Sequence, residues 1–179
     1  MILTGAEIAS QAARRRIRID PFDEERCTTN SYDLALGRRL IIYRDQVLDP
    51  RERPQYDQIE MDDDGYTLAA GDFVLAETVE RFGSDHYVPM IHAKSGVARL
   101  GLFVHVTADL IDLGFFGHST LQLFATLPVR IVPGMLIAQA TFWVPLGPIT
   151  LYKGKYQHAN GPLISRSYQD HGTVEVSHA

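Results

Sequence analysis

From Ser31 to Val144 the chain is cut into short, apolar, β-prone runs by closely spaced glycines. The runs are residues 40–43, 73–78, 102–106, 121–124 and 141–144. Gly65, Gly71, Gly101, Gly117, Gly134 and Gly147 punctuate them. No long helical pattern intervenes. Short strands joined by Gly and Pro turns predict an all-β sandwich or barrel rather than a layered α/β sheet. The chain has 179 residues, which suits a single domain over residues 1–179. A domain of that size buries roughly two-thirds of its unfolded surface, so it folds without disulfide or structural metal. The single cysteine, Cys27, cannot pair internally or build a Cys-rich zinc site.

Before the β-rich region, Thr4 and Glu7 form a Thr-x-x-Glu capping pattern with Leu3 and Ile8 at the staple positions, which predicts a short N-terminal helix. Arg14, Arg15 and Arg16 would fall in its last turn, where cations suit the helix dipole. A solvated turn explains that arginine run better than phosphate binding. Asp62, Asp63 and Asp64 precede Gly65 and read as a solvated turn rather than a metal site. The net charge of −5 argues against a sequence-independent nucleic-acid binder. No apolar run approaches the roughly 20 residues needed to span a bilayer, and Met1 to Leu3 lack a basic leader pattern. The expected location is cytoplasmic. After Tyr152 the chain turns polar and Gly-containing, a tail (residues 152–179) that either stays disordered or orders over something else.

The chemistry-bearing residues concentrate between His92 and Gln139. Ser95 and Arg99 are four apart, so one helical turn puts a hydroxyl and a guanidinium on one face. With Lys94 beside them and Gly96 allowing close backbone approach, this is a plausible grip on phosphate oxygens. Residues 106–117 carry Asp112 between apolar residues and a Gly-aromatic turn. Its carboxylate either caps that turn or holds a sugar hydroxyl. In the following strand, period 2 places His118, Thr120, Gln122 and Phe124 on one face and Ser119, Leu121 and Leu123 on the other.

These elements, in this order, resemble the dCTP deaminase family, which groups with the trimeric dUTPases. The resemblance covers nearly the whole chain. It includes Met1-Ile2-Leu3 before a short helix, residues 30–37, and Lys94-Ser95-Gly96-Val97-Ala98-Arg99-Leu100-Gly101-Leu102. It continues through Thr107-Ala108, Ile111-Asp112, Gly114-Phe115 and Pro133-Gly134-Met135. It ends in the tail with Lys155-Tyr156-Gln157, Gly161-Pro162 and Ser165-Arg166.

The resemblance implies a mainly-β fold, a distorted jelly-roll-like barrel of the dUTPase-like (β-clip) type with a short N-terminal helix. It implies a homotrimer with sites between subunits and a tail closing over nucleotide. It implies conversion of dCTP to dUTP and ammonia without zinc, with Mg2+ carried on the triphosphate. Position by position, Ser95 and Arg99 would hold triphosphate and order water, with Lys94 adding charge. Thr107 would belong to the nucleotide site, and the Ala108 carbonyl would hold the attacking water. Asp112 would contact the sugar 3′-hydroxyl and Gln139 the triphosphate. Tyr152, Lys155 and Tyr156 would close over the nucleotide.

The pattern departs from the family where it matters most. The family's general base is a glutamate, and here that position is Gln122. A neutral amide cannot take a proton from water and hand it to a leaving amine, a service typically worth about 10²–10⁴-fold. His118 is four residues away on the strand, roughly 13 Å at about 3.3 Å per residue, too far for direct replacement. Asp109 has no predicted position, and His105 reads as a partly buried structural histidine. Gly96, Leu113 and Ala159 replace the family's second serine, a proline and a frequent glutamine. Three functions follow. The first is a dCTP deaminase-like hydrolase altered at Gln122. The second is a nucleotide diphosphatase with Asp112 orienting water. The third is a non-catalytic nucleotide-binding relative.

Overall fold

The computed structural model describes residues 1–171. Helix α1 (Gly5–Ala13) opens the chain, capped by Thr4 Oγ1, which accepts from the Glu7 backbone N–H at 3.4 Å. Only half of the predicted capping box forms, because the Glu7 carboxylate accepts from Gln11 Nε2 instead. Leu3 and Ile8 are buried as the staple requires. The three arginines lie beyond the helix rather than in its last turn. Arg14 is the C-cap, and Arg15 turns the chain with a φ of 59°.

Ten strands follow: β1 (Arg18–Asp20), β2 (Tyr32–Tyr43), β3 (Tyr56–Glu60), β4 (Tyr66–Leu68), β5 (Phe73–Gly83), β6 (Val88–Ala93), β7 (Leu102–Phe103), β8 (Phe116–Ala125), β9 (Val129–Ile131) and β10 (Leu136–Trp143). A one-turn helix, α2 (Ser95–Ala98), sits between β6 and β7. Eight strands make one barrel-like sheet ordered β6-β10-β2-β5-β8-β7, with β1 on β5 and β3 on β2, while β4 and β9 pair separately. All pairings are antiparallel. Strand β2 joins the two halves of the sheet. Its first residues pair with β10, and its later ones pair with β5 and β3. The change of partner coincides with a register shift between Leu36 and Leu40, the local bend by which a strand turns from one sheet into another.

The interior is filled by Ile8, Leu34, Leu36, Leu40, Leu68, Phe82, Leu102, Leu121, Leu123 and Phe142, all essentially inaccessible. Each such side chain contributes roughly 1.5–3 kcal/mol on burial. Tyr32 is buried too, and its hydroxyl accepts from the Asp23 N–H at 3.0 Å. The predicted strand at residues 102–106 is shorter than expected, because the chain leaves the sheet after Phe103. The three aspartates form the expected turn: Asp62 Oδ1 accepts from the N–H groups of Asp64 and Gly65, and Asp63 pairs with Arg38. No helix among the described residues is long and apolar enough to cross a membrane.

Candidate functional site

Strand β8 alternates without a break between half-buried and buried residues from Phe116 to Ala125. Ser119, Leu121 and Leu123 are buried, as period 2 predicts, although Ser119 also borders the cavity of the opposite face. His118, Thr120, Gln122 and Phe124 line a cavity of about 890 Å³. The loop before β8 supplies Thr107, Ala108 and Asp112 to the same cavity, and the tail supplies Tyr152 and Tyr156. Six residues singled out from sequence therefore meet in one place.

Each wall has a local cause. The loop is tied to β6: the Ile91 N–H donates to Asp109 O at 2.8 Å, and the Ile111 N–H donates to Pro89 O at 2.9 Å. Gln122 is tied to the loop in turn, since its side-chain oxygen accepts from the Val106 N–H at 3.3 Å. Because that partner is a donor, the amide's NH₂ is turned away from it. A glutamate would accept the same bond. Asp112 is exposed and, among the described residues, is the only carboxylate lining the cavity. His118 donates through Nδ1 to Thr78 O at 2.8 Å, which places a proton on Nδ1 and fixes the ring's orientation.

The part of the tail from 152 to 171 packs on the barrel; residues 172–179 of the expected closing tail lie outside the described residues. The Tyr152 N–H donates to Leu113 O at 2.7 Å. Gly114 makes this approach possible, because a Cβ there would lie 2.8 Å from Leu151 Cβ and 3.0 Å from Tyr152 N. Thr120 Oγ1 accepts from the Leu163 N–H at 3.0 Å, and the Tyr43 hydroxyl accepts from the Ser165 N–H at 2.9 Å. Arg39 Nη1 donates to Asn160 O at 3.2 Å. Sequence reasoning missed Tyr43, Thr120 and Arg39 as tail anchors. Their partners lie 122, 43 and 121 residues away, beyond any local periodicity.

The remaining singled-out residues lie outside the cavity. Lys94 forms an ion pair with Asp33, whose other oxygen is buried without a partner. Gln139 stands opposite Asp33 in the β10–β2 register. Its side-chain oxygen accepts from Ser31 Oγ at 3.0 Å, and its NH₂ donates to Ala93 O at 3.4 Å. Ser95 and Arg99 are exposed on α2 and at its end, where Arg99 Nη1 donates to Ser95 O at 3.1 Å. Lys155 pairs with Asp170. The chain thus carries a mainly apolar cavity with no lysine or arginine lining it among the described residues, and a separate group of Lys94 and Arg99 at α2.

Behind the loop, His92 and His105 meet edge to face at 6.4 Å. His92 Nε2 lies 3.1 Å from Thr141 Oγ1. His105 is half-buried as expected, but its Nδ1 has no partner among the described residues. Burial pushes the His92 imidazole below its ordinary range; His105 adds to this and Asp109 opposes it.

A family model described as dCTP deaminase-like matches residues 2–144. The chain is 39% identical over 171 residues to the "dCTP deaminase, dUMP-forming" of Cytophaga hutchinsonii, covering 95% of this chain and 98% of that one. It is 38% identical to the protein of the same name from Clostridium beijerinckii, with the same coverage. Among solved structures, 2′-deoxycytidine 5′-triphosphate deaminase from Agrobacterium tumefaciens is similar with a TM-score of 0.64 at 20% identity. That match covers 80% of this chain but about half (48%) of the longer one, and it is a likeness of fold.

Proposed function

The chain belongs to the dCTP deaminase-like family, and from that premise we propose that it is a hydrolase of pyrimidine deoxynucleoside triphosphates that takes dCTP. In the proposed reaction water adds to C4 of the cytosine ring and the amine leaves as ammonia, giving dUTP. The base and sugar occupy the β8 cavity, with Asp112 on the sugar 3′-hydroxyl, the Ala108 carbonyl on the attacking water and Thr107 beside them. Tyr152 and Tyr156 close the cavity, with Lys155 near its rim. The reading adds no zinc to this chemistry, in keeping with one cysteine in the whole chain. Magnesium arrives with the triphosphate as part of the substrate.

The observation that carries this reading is the division of the site. A triphosphate brings several negative charges, yet among the described residues the cavity lining holds no lysine or arginine. Lys94, Ser95, Arg99 and Gln139 gather elsewhere, around α2. We infer that the protein assembles as a homotrimer in which this cluster meets the cavity of a neighbouring copy. Such a head-to-tail contact closes into a ring.

Gln122 limits the deamination step, because the position that touches the water carries no ionisable group. Incubation with dCTP and magnesium should give slow dUTP formation, and Gln122→Glu should raise it by about 10²–10⁴-fold. Absence of dUTP from the Gln122→Glu protein would overturn the reading. A second reaction is favoured by one observation, that Asp112 is the only carboxylate in the lining. Asp112 can orient water toward the α-phosphate, releasing diphosphate. Diphosphate formation from a nucleotide panel, abolished by Asp112→Asn, would support it. Saturable binding with neither product would instead make the chain a nucleotide-binding relative.

A further inference from the structure

On the far side of the tail lies a second cavity, of about 440 Å³, that the reaction does not use. Leu163 and Ile164 line both cavities, so one stretch of tail forms the partition between them. The two differ sharply in character. The second receives Arg39 from β2, Arg53 from the loop before β3, and Arg166 from the tail. Among the described residues no acidic side chain lines it, although the whole chain carries five more acidic than basic residues (22 Asp+Glu against 17 Lys+Arg).

The donors there are incompletely used. A guanidinium has five N–H groups. Arg39 commits three: Nε and Nη2 donate to the two Glu77 oxygens at 2.8 and 2.7 Å, and Nη1 donates to Asn160 O. Buried Glu77 therefore fixes the guanidinium in place and leaves two N–H groups over. Arg166 commits one, to Lys155 O. Exposed Arg53 makes no hydrogen bond or ion pair among the described residues. Gly161 adds to the cradle. Its φ is +124°, and a Cβ there would lie 2.8 Å from Arg39 Cζ, so a side chain would fill the space against the guanidinium. Tyr56 and Tyr168 also face the cavity and bring hydroxyl donors.

We propose that this cavity is a binding site for a small phosphate-bearing anion, separate from the nucleotide cavity. Three guanidinium groups from three segments, one held rigid by a buried carboxylate, match the several oxygens of a phosphate in a way that no single carboxylate ligand would use. The anion is either free phosphate or diphosphate, or the phosphate of a nucleotide whose base lies on the tyrosines.

Calorimetric titration of the full chain with inorganic phosphate, inorganic diphosphate and dUMP in turn, at constant ionic strength, tests this. At least one of the three should bind saturably, and Arg53→Ala should weaken it about tenfold or more, the loss of one charge-assisted contact. Arg53→Lys should fall between the two, since it keeps charge but not the fork. Arg99→Ala should leave this binding unchanged. Inorganic diphosphate or phosphate binding in this Arg53-dependent way identifies a free anion; dUMP alone doing so identifies a nucleotide. Absence of saturable binding by all three, or binding lost in Arg99→Ala and kept in Arg53→Ala, would overturn the proposal.

Discussion

His92 shows how a single side chain makes the fold sensitive to pH. Burial and the neighbouring His105 hold its imidazole below the ordinary range, so the folded state resists protonation that the unfolded chain accepts. As pH falls below about 6.5, the usual histidine value, the unfolded state binds the extra proton and the folded state does not. Stability therefore drops as pH falls through that window and is fully present above it. The slope for one proton cannot exceed about 1.4 kcal/mol per pH unit, and solvent around a half-buried ring reduces it further. Thermal melts between pH 5 and 7.5 should show a smaller acid loss in His92→Gln than in the parent. Equal slopes would mean that another group carries the pH dependence. The environment of His92 was not legible from its neighbours in sequence, because Thr141 and His105 reach it from other segments. By contrast, the orientation of Gln122 is legible in the sequence: alternation from His118 to Phe124 separates the half-buried face from the core, with only Ser119 bordering both.

At the scale of elements, the tail is held by side chains of the barrel more than by its own secondary structure. Thr120, Tyr43 and Arg39 each take one of its backbone groups. Gly161 sits where the chain must pass close to the Arg39 guanidinium. Gly161→Ala forces a side chain both into a left-handed backbone region and against Arg39, and should cost about 1 kcal/mol or more of tail docking. Thr120→Val leaves the Leu163 N–H without its acceptor, costing on the order of 1–3 kcal/mol where that group stays buried. Hydrogen exchange should rise across residues 160–169 in both variants while β5 and β8 stay protected. Unchanged exchange there would show that neither the Thr120 bond nor the Gly161 approach is needed to dock the tail. The misplaced arginines make the same point about legibility. Arg14, Arg15 and Arg16 fit a helical last turn by spacing, but the left-handed turn at Arg15 ends the helix first. Backbone reversals at non-glycine residues leave no such mark in the sequence.

At the scale of the whole molecule, the separation of the apolar cavity from the cationic cluster decides what one copy can do. Lys94 and Gln139 are engaged with Asp33, Ser31 and Ala93 O within one chain, while Ser95 and Arg99 stand exposed on α2 and at its end. If neighbouring copies join cavity to cluster, the protein in solution has three times the 20.1 kDa mass of one chain, measurable by light scattering. The same geometry predicts recovery by mixing. An Arg99→Ala protein retains the cavity and an Asp112→Asn protein retains the cluster, and each alone should bind dCTP poorly. In trimers re-formed from an equal mixture, about a quarter of the sites pair an intact cavity with an intact cluster, since each half is intact in one of two chains and the contact is head-to-tail. Calorimetry should then find tight dCTP binding at about one site in four. A site built within one chain gives none, because every chain in the mixture carries one of the two lesions. A mass equal to one chain, or no recovered sites in a mixture shown to have exchanged subunits, would place the phosphate grip elsewhere and remove the reason for Arg99 to belong to the site.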